Sequence, residues 1–190
     1  MAEQGDRRGQ GARPARAPRR ITPGYLQRAA MHYLERYSAP AAQLRRVLAR
    51  KIALSCRHHG EDPALHITAL DDVVARCVSS GLVDDKRFAE ARAATLRRRG
   101  RSARAVAASL AAKGVGRELA ERASSSGDEE EMAAARTTAR RKRLGPWSRG
   151  DRAANRQKDL AALARAGFSI AVARAVIDGA GDDDADGGAA

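Results

Sequence analysis

The sequence is poor in the residues that build sheets and thick cores. Phenylalanine, tyrosine and tryptophan make up 3% of the 190 residues, and leucine, isoleucine, valine and phenylalanine together number 30. Such scattered β-branched and aromatic residues cannot pattern a sheet, which argues against any β-containing fold. Two cysteines exclude a disulfide framework. No apolar run is long enough to cross a bilayer, so we expect no membrane association.

Alanine and arginine dominate what is present. The 43 alanines favour helices, because alanine has the highest helix propensity and loses no side-chain entropy on folding. With so few large apolar side chains, we predict an all-α fold of thin helices with small interfaces. The net charge of +13 indicates a polyanionic partner such as nucleic acid or a nucleoprotein. The basic first twenty residues lack the apolar segment of a secretory signal, so we predict a cytoplasmic protein.

The two ends of the chain differ from its middle. Residues 1–21 are rich in arginine, glycine and proline without helical periodicity, and we predict a disordered basic arm. Residues 179–190 are acidic and glycine-rich, and we predict a disordered tail. Between them, apolar residues recur at helical spacing.

The helical middle of the chain repeats itself. Leu26 and Leu48 are 22 residues apart, as are Phe88 and Leu110. A third copy is visible where "SLAAKGVGRELAERA" aligns with "ALARAGFSIAVARAV". This periodicity predicts three tandem three-helix repeats. We place their boundaries at residues 22–83, 84–126 and 127–178.

The local signals for helix ends are uneven along the chain. Thr22 is a predicted cap for the first helix, and Thr68 with its neighbours for the third. Residues 53–67 read as a long connection. Asp84 or Asp85 is predicted to cap the fourth helix, since a carboxylate there accepts backbone N–H bonds and complements the helix dipole.

The strongest charge signal is "LRRRGRSAR", at the end of one predicted helix and the start of the next. A second cluster occupies the matching end of a later helix, and a lysine lies between the two. One interpretation is a solvated charge run that complements the negative helix end. The other is contact with phosphates or acidic protein, for which the planar guanidinium is suited. The candidate binding residues are Arg97, Arg98, Arg99, Arg101, Arg104, Lys113, Arg140, Arg141, Lys142 and Arg143.

Nothing in the sequence predicts catalysis, a cofactor or a metal site. Adjacent Asp84 and Asp85 diverge on a helix and have no nucleophile or histidine beside them, so they read as caps. Cys56 with the two following histidines does not have a zinc-site spacing, and Cys77 falls on a buried helix stripe. Phosphate loops, nucleophile elbows and dinucleotide fingerprints are missing. We therefore predict a non-enzymatic protein.

The segment "GLVDDKRFAEARAATLRRRGRSARAVAASLAAKGV" resembles the RecX family, regulators of the bacterial RecA recombinase. It contains the family's Gly-Leu-hydrophobic-Asp-Asp junction, an Arg-Phe-Ala step, an arginine-rich turn and a closing Lys-Gly-hydrophobic step. The structural positions of this motif are Asp84, Asp85, Phe88, Leu110 and Gly114. The outer repeats depart from it: Lys51 is followed by isoleucine rather than glycine, and Ala166 stands where the second repeat has Lys113.

The resemblance implies an elongated, curved rod of helical repeats that binds the RecA filament on single-stranded DNA. It also implies inhibition of recombination and of ATP hydrolysis by the filament, and we expect a monomer. Whether single-stranded DNA is contacted directly stays open. Two other functions remain possible: a free nucleic-acid-binding helical module, and a helical scaffold for another acidic protein.

Overall fold

The computed structural model describes residues 17–180, and within that part the chain is entirely helical, with no strand. The all-α prediction is confirmed. The helices are α1 (Pro23–Leu34), α2 (Ala41–His59), α3 (Ile67–Ser79), α4 (Asp85–Arg98), α5 (Ala103–Lys113), α6 (Arg117–Ser124), α7 (Asp128–Lys142), α8 (Arg152–Arg165) and α9 (Ile170–Asp178), with 3-10 turns at Pro63–His66 and Gly145–Trp147.

The nine helices form three consecutive units, each with its own small core. Leu26 and Leu48 are fully buried in the first unit (α1–α3), Leu110 in the second (α4–α6) and Leu163 in the third (α7–α9). In the described residues, extensive helix packing occurs only within a unit. This is the arrangement expected when each helix carries few large apolar residues.

The repeat boundaries and the curved rod remain predictions. The predicted disordered arm and tail fall for the most part on residues 1–16 and 181–190, which lie outside the described residues.

Short polar residues start the helices where the sequence predicts. The side chains of Thr22 and Asp84 accept the backbone N–H of the residue three positions on, at 3.1 and 2.9 Å. Ser102 and Ser169 do the same for α5 and α9. Each such bond satisfies one of the N–H groups left without a partner at a helix start.

Three local predictions in the first unit are wrong. Residues 53–67 are not a long connection, because α2 continues to His59, with Ser55 and Cys56 buried. Helix α3 does not begin at a Thr68 cap. It follows directly from the 3-10 turn and begins at Ile67 without a side-chain cap.

The last residues of the predicted arm are packed rather than free. Ile21 is 7% exposed, and the Ser55 hydroxyl donates to the Arg19 carbonyl at 2.8 Å. His59 Nε2 lies 2.9 Å from the Pro18 carbonyl oxygen. Residues 18–21 therefore cover the C-terminal end of α2.

Candidate polyanion-binding surface

The predicted basic cluster lies where the second unit meets the third, which we call the second junction. Glu131 of α7 accepts the Ala103 N–H at 3.1 Å and pairs with Arg97 at 2.5 Å. The side chains of Arg97 and Glu131 are only 15% and 17% exposed. Arg97 Nη1 also donates to the Arg101 carbonyl at 3.1 Å.

Arg97 therefore holds the second junction together and presents no free charge to a partner. A guanidinium this buried needs a counter-charge, and Glu131 supplies it. We leave Arg97 out of the binding surface that the sequence predicts. Sequence spacing could not reveal this, because Glu131 lies 34 residues further along the chain.

The second predicted cluster is brought beside the first. Arg141 Nη1 donates to the Arg99 carbonyl at 2.8 Å, which places the basic end of α7 against the turn between α4 and α5. Arg99 and Arg141 are exposed, as are Arg140, Lys142 and Arg143. Arg143 ends α7 in the left-handed region, with φ of 56°. The cations of both clusters thus share the second junction.

Three exposed arginines line one surface depression at this junction, with a volume of about 650 Å³. They are Arg101 and Arg104 at the start of α5, and Arg165 at the end of α8. Ser102 fixes the two helix ends by donating to the Ala166 carbonyl at 2.7 Å. Since no carboxylate lines this depression, it offers three guanidinium groups to an anion.

Arg165 is a residue that the sequence analysis missed. Alignment of the repeats emphasises that Ala166 replaces Lys113 in the third copy. The neighbouring Arg165 supplies the positive charge at this turn. A search for cations one residue to either side of the repeat match would have found it.

Two predicted residues lie elsewhere. Arg98 lines a different groove between α4, α6 and α7, where Glu90 and Glu130 stand among the cations. That groove is mixed in charge and suits a phosphate chain less well. Lys113 ends α5 where the second unit meets the first, which we call the first junction. Gly114 beside it packs against Ala42 of α2.

The paired aspartates of the motif have two different functions. Asp84 caps its own helix, as predicted. Asp85 Oδ1 instead accepts the Ala41 N–H at 2.8 Å and so caps α2 across the first junction. Helix α2 has no side-chain cap of its own, because Pro40 precedes it. Phe88 and Leu110 belong to the core of the second unit.

Other surface arginines are engaged within their own units. The hydrogen bond from Arg45 of α2 holds the pKa of the Asp71 carboxyl of α3 below its usual value. Arg156 of α8 has the same effect on the pKa of Asp178 at the end of α9. These pairs brace the second and third helices of a unit. They are internal ion pairs rather than part of the candidate surface.

Comparison with known proteins agrees with this architecture. Residues 84–123 match the family model described as "RecX, second three-helix domain". A protein of Myxococcus xanthus (strain DK1622) named "Regulatory protein RecX" is 44% identical over 170 residues, covering 87% of this chain and 91% of the relative. This chain belongs to the RecX family. The crystal structure of RecX from Lactobacillus salivarius superposes with a TM-score of 0.65 at 19% identity, covering 82% of this chain and 94% of that one.

The RecX-family match and the structural similarity confirm the resemblance and the helical fold. The RecX model covers the unit that carries Arg97 to Arg104. Between residues 17 and 180, no helix is both long enough and apolar enough to cross a membrane.

Proposed function

We propose that this chain binds the filament that a RecA-type recombinase forms on single-stranded DNA, and that it inhibits recombination and ATP hydrolysis by the filament. Membership of the RecX family supports the regulatory function. The lining of the candidate surface does not offer a nucleophile, a general base or a bound cofactor site, so regulation by binding is the simplest mechanism.

The observation that carries the proposal is the depression lined by Arg101, Arg104 and Arg165. Three guanidinium groups from two units meet there without a competing carboxylate. Each can bond two oxygens of a phosphate or a carboxylate. A nucleoprotein filament offers both, in a regularly repeated array.

A chain of three units can add further weak contacts along the same filament. Once one unit is bound, the others face the filament at a high effective concentration, so modest contacts sum to useful affinity. The exposed cations at the end of α7 lie close enough to the depression to join it. Lys113 at the first junction offers a second contact further along the chain.

The test is a fluorescence anisotropy titration of labelled single-stranded DNA, with and without recombinase and a slowly hydrolysed ATP analogue, at two salt concentrations. The variant changes Arg101, Arg104 and Arg165 together to Ala. Because the three arginines are exposed, we expect folding to be kept and filament binding to weaken tenfold or more. If they contact phosphates, the salt dependence should fall by about 0.7 in log–log slope per lost contact. Recombinase ATP hydrolysis, measured in parallel, should be inhibited less.

The matched control removes the same charge elsewhere, by changing the exposed residues Arg50, Arg57 and Arg117 to Ala. It should bind nearly as the unchanged chain does, apart from a small long-range electrostatic loss. Equal weakening by both triple variants would contradict the assigned surface. Tight binding to naked DNA without recombinase would instead favour a free nucleic-acid-binding module. Indifference to both DNA and recombinase would favour a scaffold for another acidic protein.

A further inference from the structure

A cluster of three metal-ligating groups lies at the C-terminal end of α2, far in sequence from the basic surface. The Cys56 sulfur, a Glu61 carboxylate oxygen and a His66 ring nitrogen all lie within 4.8 Å of one another. Cys56 is buried, while Glu61 and His66 are half-buried. The sequence analysis predicted no metal site, because it tested Cys56 against the neighbouring histidines.

The backbone explains how residues five positions apart come together. Helix α2 ends at Gly60 in the left-handed conformation, with φ of 70°. The N–H groups of Gly60 and Glu61 both bond to the Cys56 carbonyl, which folds Glu61 back over the helix end. Asp62 then caps the 3-10 turn Pro63–His66, which returns His66 to the same place.

The spacing of the donor atoms suits a small divalent cation. His66 Nε2 lies 3.3 Å from Glu61 Oε2. Two bonds of about 2.1 Å meeting at a tetrahedral angle would hold nitrogen and oxygen about 3.4 Å apart. The sulfur would stand about 3.6 Å from each, so a shift of about 1 Å or less at Cys56 completes the geometry.

We propose that Cys56, Glu61 and His66 bind one zinc-class divalent cation, with water as a fourth ligand. A thiolate and an imidazole select zinc and similar metals over magnesium and calcium, which prefer all-oxygen sites. On binding, the metal forms one bond each to sulfur, oxygen and nitrogen. The thiol proton leaves to solvent, and His66 binds as the neutral Nδ1–H tautomer. No electron transfer is involved.

The surroundings already contain a partner that orients the ligands. Arg20 donates to Glu61 Oε1 at 2.5 Å, which leaves Oε2 directed at His66. Ligand carboxylates in metal sites are generally held by such outer hydrogen bonds. Because Arg20 belongs to the segment that packs over α2, a bound metal would fasten residues 18–21 and the 3-10 turn to the first unit.

The experiment is a titration of the purified, reduced full-length chain with Co²⁺ and with Zn²⁺, without nucleic acid or recombinase. Co²⁺ should give the visible bands of a four-coordinate ion, together with a thiolate-to-cobalt charge-transfer band. Equilibrium dialysis should give one Zn²⁺ per chain. Cys56→Ser should lose the charge-transfer band, and His66→Gln should weaken binding at least tenfold. Arg20→Ala, which removes only the outer partner, should weaken it about tenfold.

Cys77→Ser is the matched control, since Cys77 is the other buried free cysteine of the same core. It should keep every cobalt band. Because Cys56→Ser alters a buried position, circular dichroism should accompany it, and the half-exposed Glu61→Gln and His66→Gln provide independent tests. Absence of the bands from the unchanged chain, their survival in the Glu61→Gln/His66→Gln double variant, or their loss in Cys77→Ser would each overturn the site. Since recombinase is not present, failure here leaves the proposed filament binding unaffected.

Discussion

The first and second junctions are built on one plan but differ in strength. At each, a carboxylate from the first helix of one unit caps the second helix of the preceding unit: Asp85 at Ala41, and Glu131 at Ala103. At each, a left-handed glycine ending a second helix packs against the start of the preceding second helix. Repetition of both features indicates that the unit and its mode of attachment recur together.

The second junction adds bonds that the first lacks among the described contacts. The partly buried Arg97–Glu131 pair is one, and the Thr138 hydroxyl donating to the Gly100 carbonyl at 2.5 Å is another. At the first junction, the additional bond is from the exposed Arg46 to the Ala112 carbonyl at 3.2 Å. We therefore expect the second junction to be stiff and the first to act as the hinge. A chain that follows a helical filament needs such adjustment, and the arginine depression lies at the stiff end.

The largest expected effect comes from breaking the strong junction at its carboxylate. Glu131→Ala leaves the guanidinium of Arg97 buried without its counter-charge, and we expect a loss of about 3 kcal/mol. Asp85→Ala removes only a cap from α2 and should cost about 1 kcal/mol. Urea unfolding measures both losses. Hydrogen exchange at the Ala103 and Ala41 amides shows whether each loss lies at its own junction.

Glu130→Ala is the control for this comparison, since Glu130 is an exposed carboxylate in the same turn of α7. It should change stability by well under 1 kcal/mol. Equal losses for Glu131→Ala and Asp85→Ala would remove the proposed difference between the junctions.

The second effect tests close packing at the weak junction. Gly114 has φ of +90°, and an added Cβ would stand 2.6 Å from the Ala42 Cβ, which cannot rotate away. Gly114→Ala should therefore cost about 2 kcal/mol, of which about 1 is backbone strain and the rest the clash. It should also raise the radius of gyration in small-angle scattering as the first junction opens.

Gly81→Ala separates strain from clash, because Gly81 also has positive φ, at +73°, but nothing lies within 4 Å of its added Cβ. It should cost about 1 kcal/mol and leave the scattering unchanged. An identical result for both glycine variants would show that the approach of α5 to α2 does not hold the units together.

The sequence predicted local features well and contacts between units poorly. The all-α fold and the Asp84 cap follow from signals within a few residues. The cross-junction caps do not, because Asp85 and Ala41 are 44 residues apart and Glu131 and Ala103 are 28 apart. The same distance concealed the pairing of Arg97, which sequence alone presents as one more cation in a basic run.

The error at residues 53–67 has a related cause. Histidines, a glycine and a proline read as a connection, yet helix α2 reaches His59 because Ser55 and Cys56 are buried in the first unit. Ser55 is compatible with that burial because its hydroxyl donates to the Arg19 carbonyl. That contact comes from a segment that composition alone assigns to a disordered arm. Tertiary packing therefore overrode the local signals at both places.

The smallest effect concerns the braces within units, which provide the background against which the junctions are compared. The hydrogen bond from Arg156 lowers the folded-state pKa of Asp178, as Arg45 does for Asp71. Each pair therefore stabilises the fold above the ordinary aspartate pKa of about 3.9, and this contribution is lost as pH falls through the lowered folded value. Asp178→Asn should slightly reduce the unfolding temperature at pH 7 and narrow the gap to the unchanged chain near pH 3. Since both partners are exposed and far from either junction, amide exchange at Ala41 and Ala103 should not change. A change at Ala103 would mean that the third unit transmits strain to the second junction, and the comparison would then have to include the packing of α8 on α9.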